Sequence, residues 1–119
     1  PDVEATNDGT ARTYPGVEFR GPSSGSMTSF KVTNLTTGDV LAIATTVNAG
    51  ESLFADMAAA YGIASGVPIT LGGVSRYGSW TSPRTPWYLQ AGPNLLRFQV
   101  LAGPATGASA RVTWRSAWE

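Results

Sequence analysis

Cysteine and histidine are both absent from this sequence. Without thiols there is no disulfide staple and no thiolate nucleophile, and no redox compartment can be read from the chain. Without imidazole the commonest general base is gone, and with it the Ser–His and Cys–His pairs and metal sites built on nitrogen or sulfur. Charge of one sign is lacking too: eight basic residues meet eight acidic ones, for a formal net charge of zero. Bulk electrostatics therefore draws the domain neither to nucleic acid nor to an anionic membrane. Apolar runs such as LAIATTV and MAAAYGIA are short and broken, far from the roughly 20 residues that a membrane helix needs. The chain opens PDVEATNDG, with acids where a secretory signal carries bases. With no initiating Met, it is expected to be a processed chain or, by preference, an excised part of a longer protein. Seven arginines against one lysine hint at a GC-rich genome.

Glycine and proline punctuate the chain at short intervals, and the segments between them alternate with a period of two. SFKVTNL puts Phe30 and Val32 on one face, with Lys31 and Thr33 on the other. VLAIATTV groups Leu41, Ile43 and Val47; NLLRFQVL groups Leu96, Phe98 and Val100; ARVTWRSAW sets Val112 and Trp114 against Arg111, Thr113 and Arg115. Thr37-Gly38-Asp39, Ala49-Gly50 and Gly92-Pro93-Asn94 read as hairpin turns, and GPATGAS separates the last two strands. One domain, 1–119, is expected: an all-β antiparallel sandwich or jelly roll. Its predicted core holds Phe30, Val32, Leu41, Ile43, Trp87, Leu96, Phe98, Val112 and Trp114. DMAAAYGIASG, residues 56–66, interrupts the pattern as a short helical turn capped by Asp56, or as a loop packing Met57 and Tyr61 on the sheet.

Only oxygen ligands remain for a metal. The best cluster, Thr6 to Gly9 beside Glu4, lacks the repeating carboxylates of a calcium loop and reads as a solvated tail sooner than as a calcium site. A glycosidase needs two carboxylates facing each other across a cleft. Here most acids lie in turns or near the termini, and Glu18, between Val17 and Phe19, takes the outward position of a strand. No phosphate-binding glycine pattern is present. The expectation is a protein without catalysis, cofactor or metal.

Binding has better candidates. Sugars rest their apolar C–H faces on exposed aromatic rings, and GVSRYGSWTSPRTPWYL is the densest aromatic-plus-arginine stretch. Arg76, Tyr77, Trp80, Arg84 and Tyr88 are its candidate contacts, with Tyr61 on the 56–66 insertion as another. Neighbours on a strand face opposite ways, so one of Trp87 and Tyr88 is expected inside and the other outside.

Read in order, VTNLTTGDVL, AGES, LGGVSRYG, WYLQAGPNLLRF and ARVTWRSAW resemble the C-terminal domain of the distal tail (minor tail) proteins of long, non-contractile-tailed bacteriophages and their prophage relatives. The family's Asn and Thr-Thr-Gly turn are matched by Asn34, Thr36, Thr37 and Gly38, and its Ala-Gly-acid by Ala49, Gly50 and Glu51. Its next hairpin corresponds to Leu71-Gly72-Gly73. Trp87, Leu89, Gly92 and Asn94 follow, then Arg97-Phe98 and the closing Trp114-Arg115 and Trp118. NDGTARTYPGVEFRGP resembles the family's opening strand, so the likeness spans Asn7 to Trp118. DMAAAYGIASGVPI is longer and more helical than the family's hairpin, and Gly92-Pro93 reverses its usual Pro-Gly.

The resemblance implies a galectin-like or carbohydrate-module-like sandwich projecting from a ring, typically hexameric, which a domain preceding Pro1 would build. The setting would be the virion tail tip, assembled in the host cytoplasm. Partners would be tail-tube, tail-tip or receptor-binding proteins and, in some members, host cell-wall carbohydrate; the domain alone would be a monomer. The rival reading is a carbohydrate-binding module of a phage adhesin or secreted hydrolase. In that case Trp80 and Tyr77, with Trp87 or Tyr88, would line an exposed groove.

Overall fold

The computed structural model describes residues 2–62, 65–81, 84 and 86–114. In chain order the strands are β1 (Val3–Asn7), β2 (Gly16–Arg20), β3 (Ser26–Met27), β4 (Ser29–Asn34), β5 (Val40–Ile43), β6 (Val47–Asn48), β7 (Ser52–Asp56), β8 (Ile69–Leu71), β9 (Val74–Ser75), β10 (Gly92–Ala102) and β11 (Ser109–Thr113). Helix α1 (Met57–Tyr61) lies between β7 and β8. The architecture among the described residues is all-β and antiparallel, in three sheets ordered β1-β10-β4-β5, β11-β2-β7-β8-β9 and β3-β6.

Alternation in the sequence becomes alternation in burial. Phe30, Val32 and Asn34 of β4 are buried while Ser29, Lys31 and Thr33 are half-covered. In β2, Val17 and Phe19 are buried and Glu18 takes the outer position; in β7, Leu53 and Ala55 are buried and Phe54 faces out. Inner residues of the four- and five-stranded sheets meet in one cluster. Phe19 of β2 packs its ring 4.8 Å from that of Phe30 on β4 and 6.0 Å from that of Phe98 on β10. Each fully buried side chain of this size contributes about 1.5–3 kcal/mol relative to exposure. Trp80, Trp87 and Leu89 join the cluster from the long connection before β10.

Several expectations hold in their local form. Asn34 to Asp39 links β4 to β5 as a hairpin, and Gly72-Gly73 links β8 to β9. Between the helical and loop readings of 56–66, a helix forms over Met57–Tyr61. The Asp56 side chain accepts the Ala59 N–H at 3.2 Å, and Gly62, at φ 95°, closes the helix with its N–H on Ala58 and Ala59. Such left-handed backbone suits glycine, which has no Cβ to clash. Of the residues flagged there, Met57 is buried and Tyr61 is not.

Four expectations need correction. Val40 to Val47 is not one strand: it splits into β5 and β6, and β6 leaves the first sheet to pair with β3. Ala49-Gly50 is a turn but not a hairpin, because it carries the chain from β6 to β7, which pairs with β2. Gly92-Pro93-Asn94 is no turn; it begins β10, with Pro93 opposite Thr6 of β1. Proline is tolerated there because the ladder with β4 starts only at Leu96, so no bond on that side needs its missing N–H. Trp114, expected in the core, is 37% exposed. Its indole lies beyond the end of β11, an edge strand, and donates to the Thr6 carbonyl at 3.2 Å. Phe98 and Val112 are half-buried for a related reason, the openness of the seam between β10 and β11. Arg115 and Trp118 lie outside the described residues.

Candidate functional site

The sequence-predicted contacts separate into two clusters. Arg76, Tyr77, Trp80 and Arg84 form the first, around a 3₁₀ turn at Tyr77–Ser79. The turn is held by Ser79 Oγ on the Arg76 carbonyl (2.6 Å) and by the Ala44 N–H on the Ser79 carbonyl (2.9 Å). Trp80 then bridges to Ile43 of β5. That pairing draws the indole inward, and Trp80 is only 2% exposed.

Trp80 therefore lines no open groove, contrary to the expectation for a sugar platform. Arg84 is folded back on the same turn: its Nε donates to the Trp80 carbonyl (2.6 Å) and a terminal nitrogen to that of Gly78 (3.3 Å). Its guanidinium lies 5.0 Å from the centre of the Tyr77 ring, which meets Trp80 edge-on at 5.9 Å. Arg76 donates to the Ser75 carbonyl at 3.2 Å. This cluster is a clamp that closes the β9–β10 connection. Tyr77 remains its largest exposed aromatic surface.

Tyr61 and Tyr88 meet elsewhere, with two residues that sequence reasoning missed, Arg12 and Tyr14. Thr13 and Leu89 exchange both backbone hydrogen bonds at 2.9 Å, pinning the segment before β2 against the segment before β10. The same bridge explains why Trp87 and Leu89 are buried while Tyr88 between them is half-exposed, as the opposite-face expectation required. Arg12 and Tyr14 flank Thr13, and their guanidinium and ring come up beside Tyr88. The Arg12 guanidinium sits 4.2 Å above the Tyr88 ring, and the Tyr14 ring is tilted against it at 6.1 Å. Tyr61, at the end of α1, stacks on Tyr14 with centroids 4.0 Å apart and planes 14° from parallel. RTY, with its two long side chains two residues apart, carried the available signal.

Electrostatics ties the row together. Burial pushes the Tyr14 hydroxyl above its usual range; Arg12 opposes that shift and the Tyr61 hydroxyl reinforces it. Arg12 is in turn held further towards its charged form, first by hydrogen bonding with Tyr14 and then by the charge of Tyr88. The result is a surface row of three rings and one cation, ending in a Tyr61 that is 54% exposed. Such a row offers a flat apolar face and guanidinium donors, which suits binding.

The Thr6–Gly9 segment, read as an oxygen-ligand cluster or a solvated tail, is neither. Asn7 is buried, accepts the Gly9 N–H at 3.0 Å and donates to the Ala11 carbonyl at 2.7 Å, which makes the segment a side-chain-closed turn. Among the described residues no group of three or more acidic side chains is placed to hold a metal ion.

Behind Tyr88 lies a buried pair of asparagines with many hydrogen bonds. Asn34 donates to the Tyr88 carbonyl (3.2 Å) and to Asn94 Oδ1 (3.0 Å), while its own oxygen accepts the Thr36 and Thr37 N–H groups. Asn94 donates to the carbonyls of Ala5, Gln90 and Gly92 and accepts the Gln90 N–H. Thr36 Oγ1 accepts the Leu95 N–H at 2.9 Å. No protein-family model, curated protein or solved structure matches the chain.

Proposed function

We infer that the chain is a non-catalytic structural module of a bacteriophage tail tip, the outer domain of a distal tail protein. The two larger sheets, sharing the Phe19–Phe30 core, are read as the two layers of a β-sandwich. The domain serves as a docking surface for the adsorption apparatus or for contact with the host. The ring interfaces belong to another part of the full-length protein, so the domain alone is monomeric. The observation that supports this best is the Asn34–Thr36–Asn94 network. These residues carry the family resemblance, and they are brought together in one network, with Asn34 and Asn94 buried and Thr36 at its exposed rim. Glu51, another matched residue, closes its turn by accepting the Asn48 N–H at 2.9 Å.

The test is immunogold electron microscopy of particles from the phage or prophage that encodes the chain, using antibody raised against residues 1–119. Label at the distal end of the tail is expected. Particles that carry the protein elsewhere, or lack it, would overturn the assignment. Light scattering of the isolated domain checks the monomer, and a stable hexamer contradicts it.

The Tyr14–Tyr61–Tyr88–Arg12 row favours a second reading, a carbohydrate-binding module. On this reading a pyranose rests on the exposed face of Tyr61 and its hydroxyls meet Arg12. Glycan-array binding that is lost in Tyr61→Ala, with circular dichroism unchanged, supports it. An array with no signal for the parent chain removes it.

A further inference from the structure

From Arg12 to Arg20 every second residue is buried, Thr13 through Phe19, and the residues between them turn outward. The tyrosine row and the outer face of β2 are therefore one line rather than two surfaces. Next-but-one residues on an extended chain stand about 7 Å apart. At Gly16 that line has no side chain, and β7 supplies one in its place. A Cβ on Gly16 would lie 2.9 Å from the Phe54 ring, so the ring rests against bare β2 backbone while Phe54 stays 42% exposed. Phe54 thus continues the run of exposed rings that begins with Tyr61, carried on Tyr14.

Polar groups with unused capacity stand beside this second ring. Phe54 is opposite Glu18, and Glu18 is opposite Arg111 of β11. Cross-strand partners of this kind hold their Cβ atoms about 5 Å apart, within reach of an ion pair. Among the described residues the Glu18 and Arg111 side chains nevertheless form neither an ion pair nor a hydrogen bond. One acceptor and one donor are left open at the edge of the ring.

The chemistry of the occupant follows. β2 is paired on both sides, with β11 and β7, so it offers a partner strand no free backbone edge. The sheet has five strands of at most five residues, which project to roughly 400 Å². A stable protein interface takes about 800 Å² from each partner, so a second copy finds too little surface here. A carboxylate set between arginines suits neither a polyanion nor a polycation. Flat rings with a donor and an acceptor at their edge match a neutral sugar, whose C–H faces are apolar and whose hydroxyls both donate and accept. Two ring stations on one line match a chain of sugars rather than a single residue.

We propose that Tyr61 and Phe54 are two stations for one neutral, linear polysaccharide laid along β2. Its hydroxyls meet Arg12 at one end and Glu18 and Arg111 at the other. The proposal rests on the carbohydrate reading of the tyrosine row, and adds to it a second station, a direction and a dependence on chain length.

The test is NMR titration of the isotope-labelled full chain with cellohexaose, mannohexaose, xylohexaose and N-acetylchitohexaose, each beside its disaccharide. At least one hexasaccharide is expected to shift the Tyr61 and Phe54 signals together, and to bind about tenfold or more tighter than its disaccharide. Phe54→Ala, folded by circular dichroism, brings the hexasaccharide down to the affinity of the disaccharide and leaves the disaccharide unchanged. Glu18→Gln weakens the hexasaccharide alone, and decides the matter should Phe54→Ala fail to fold. Hexasaccharide binding that shifts Tyr61 but is indifferent to both substitutions overturns the second station and leaves the carbohydrate reading of the row standing. Shifts confined to Phe54 and Glu18 overturn the continuous line. No shift with any hexasaccharide at millimolar concentration overturns the proposal and the reading beneath it.

Discussion

The side-chain amide of Asn34 donates to the side-chain oxygen of Asn94 at 3.0 Å across 60 residues of sequence. Both side chains are fully buried, and between them they hold the β4–β5 turn, the start of β10 and the Ala5 carbonyl of β1. Removing one partner strands several buried groups, each at about 1–3 kcal/mol. Asn94→Ala is expected to lower stability by about 3 kcal/mol or more, read as a fall in the urea midpoint at unchanged slope. Asn34→Ala behaves similarly. The double variant costs less than the sum by about 1 kcal/mol or more, because the two share one network.

Trp80 is tested against the surface role that its sequence context suggested. Being 2% exposed against β5, its replacement by alanine empties a large core site. Trp80→Ala is expected to cost about 3–5 kcal/mol, visible by thermal melting. The indole N–H has no hydrogen-bond partner among the described residues. Trp80→Phe discards that buried donor together with some volume, so its cost is much smaller, about 1 kcal/mol. Equal losses for the two variants would contradict this account.

A close backbone approach gives the next prediction. Gly21 follows β2 and is buried, with its N–H on the Glu51 carbonyl at 2.9 Å. A Cβ at this position would run into the Asn48 backbone carbonyl, which a side-chain rotation cannot relieve. Gly21→Ala is expected to destabilise by about 1–3 kcal/mol. Gly50→Ala, at φ 82° with open space around it, strains only its own backbone, so its cost is about 1 kcal/mol. Chemical denaturation of the pair separates collision from conformation.

The strands were legible in the sequence because period-two alternation reports which face a residue takes, and Phe30, Val32, Leu41 and Ile43 are buried as that pattern requires. It does not report what lies opposite that face. Val112 and Trp114 alternate as cleanly as any pair, yet they end an edge strand beside an open seam and stay partly uncovered. Turn chemistry has the same limit. Ala49-Gly50 turns the chain as read, but its neighbours pair in different sheets, which only long-range register decides. The candidate site was half legible for a related reason. Tyr61 and Tyr88 were named, whereas Arg12 and Tyr14 reach them through the Thr13–Leu89 bridge, a contact between distant segments. Trp80 misled because aromatic density near arginines looks the same in a clamp and in a platform.

The stacked row of tyrosines makes stability depend on pH at the alkaline end. Burial, the largest cause, raises the Tyr14 hydroxyl above the usual tyrosine value of about 10, with Arg12 opposing and Tyr61 reinforcing. A raised value means that the folded chain holds the proton more tightly than the unfolded chain. The contribution is therefore complete below the unfolded value and is lost as pH rises through the folded one. The urea midpoint is expected to fall as pH climbs beyond about 10, and to fall less steeply in Tyr14→Phe, which has no hydroxyl to ionise there. Arg12→Gln removes the opposing cation, so Tyr14 ionises at a still higher pH. Ultraviolet difference spectra of the parent and of Arg12→Gln measure that displacement directly, and a downward shift would mean that Arg12 does not act on Tyr14 as the geometry requires.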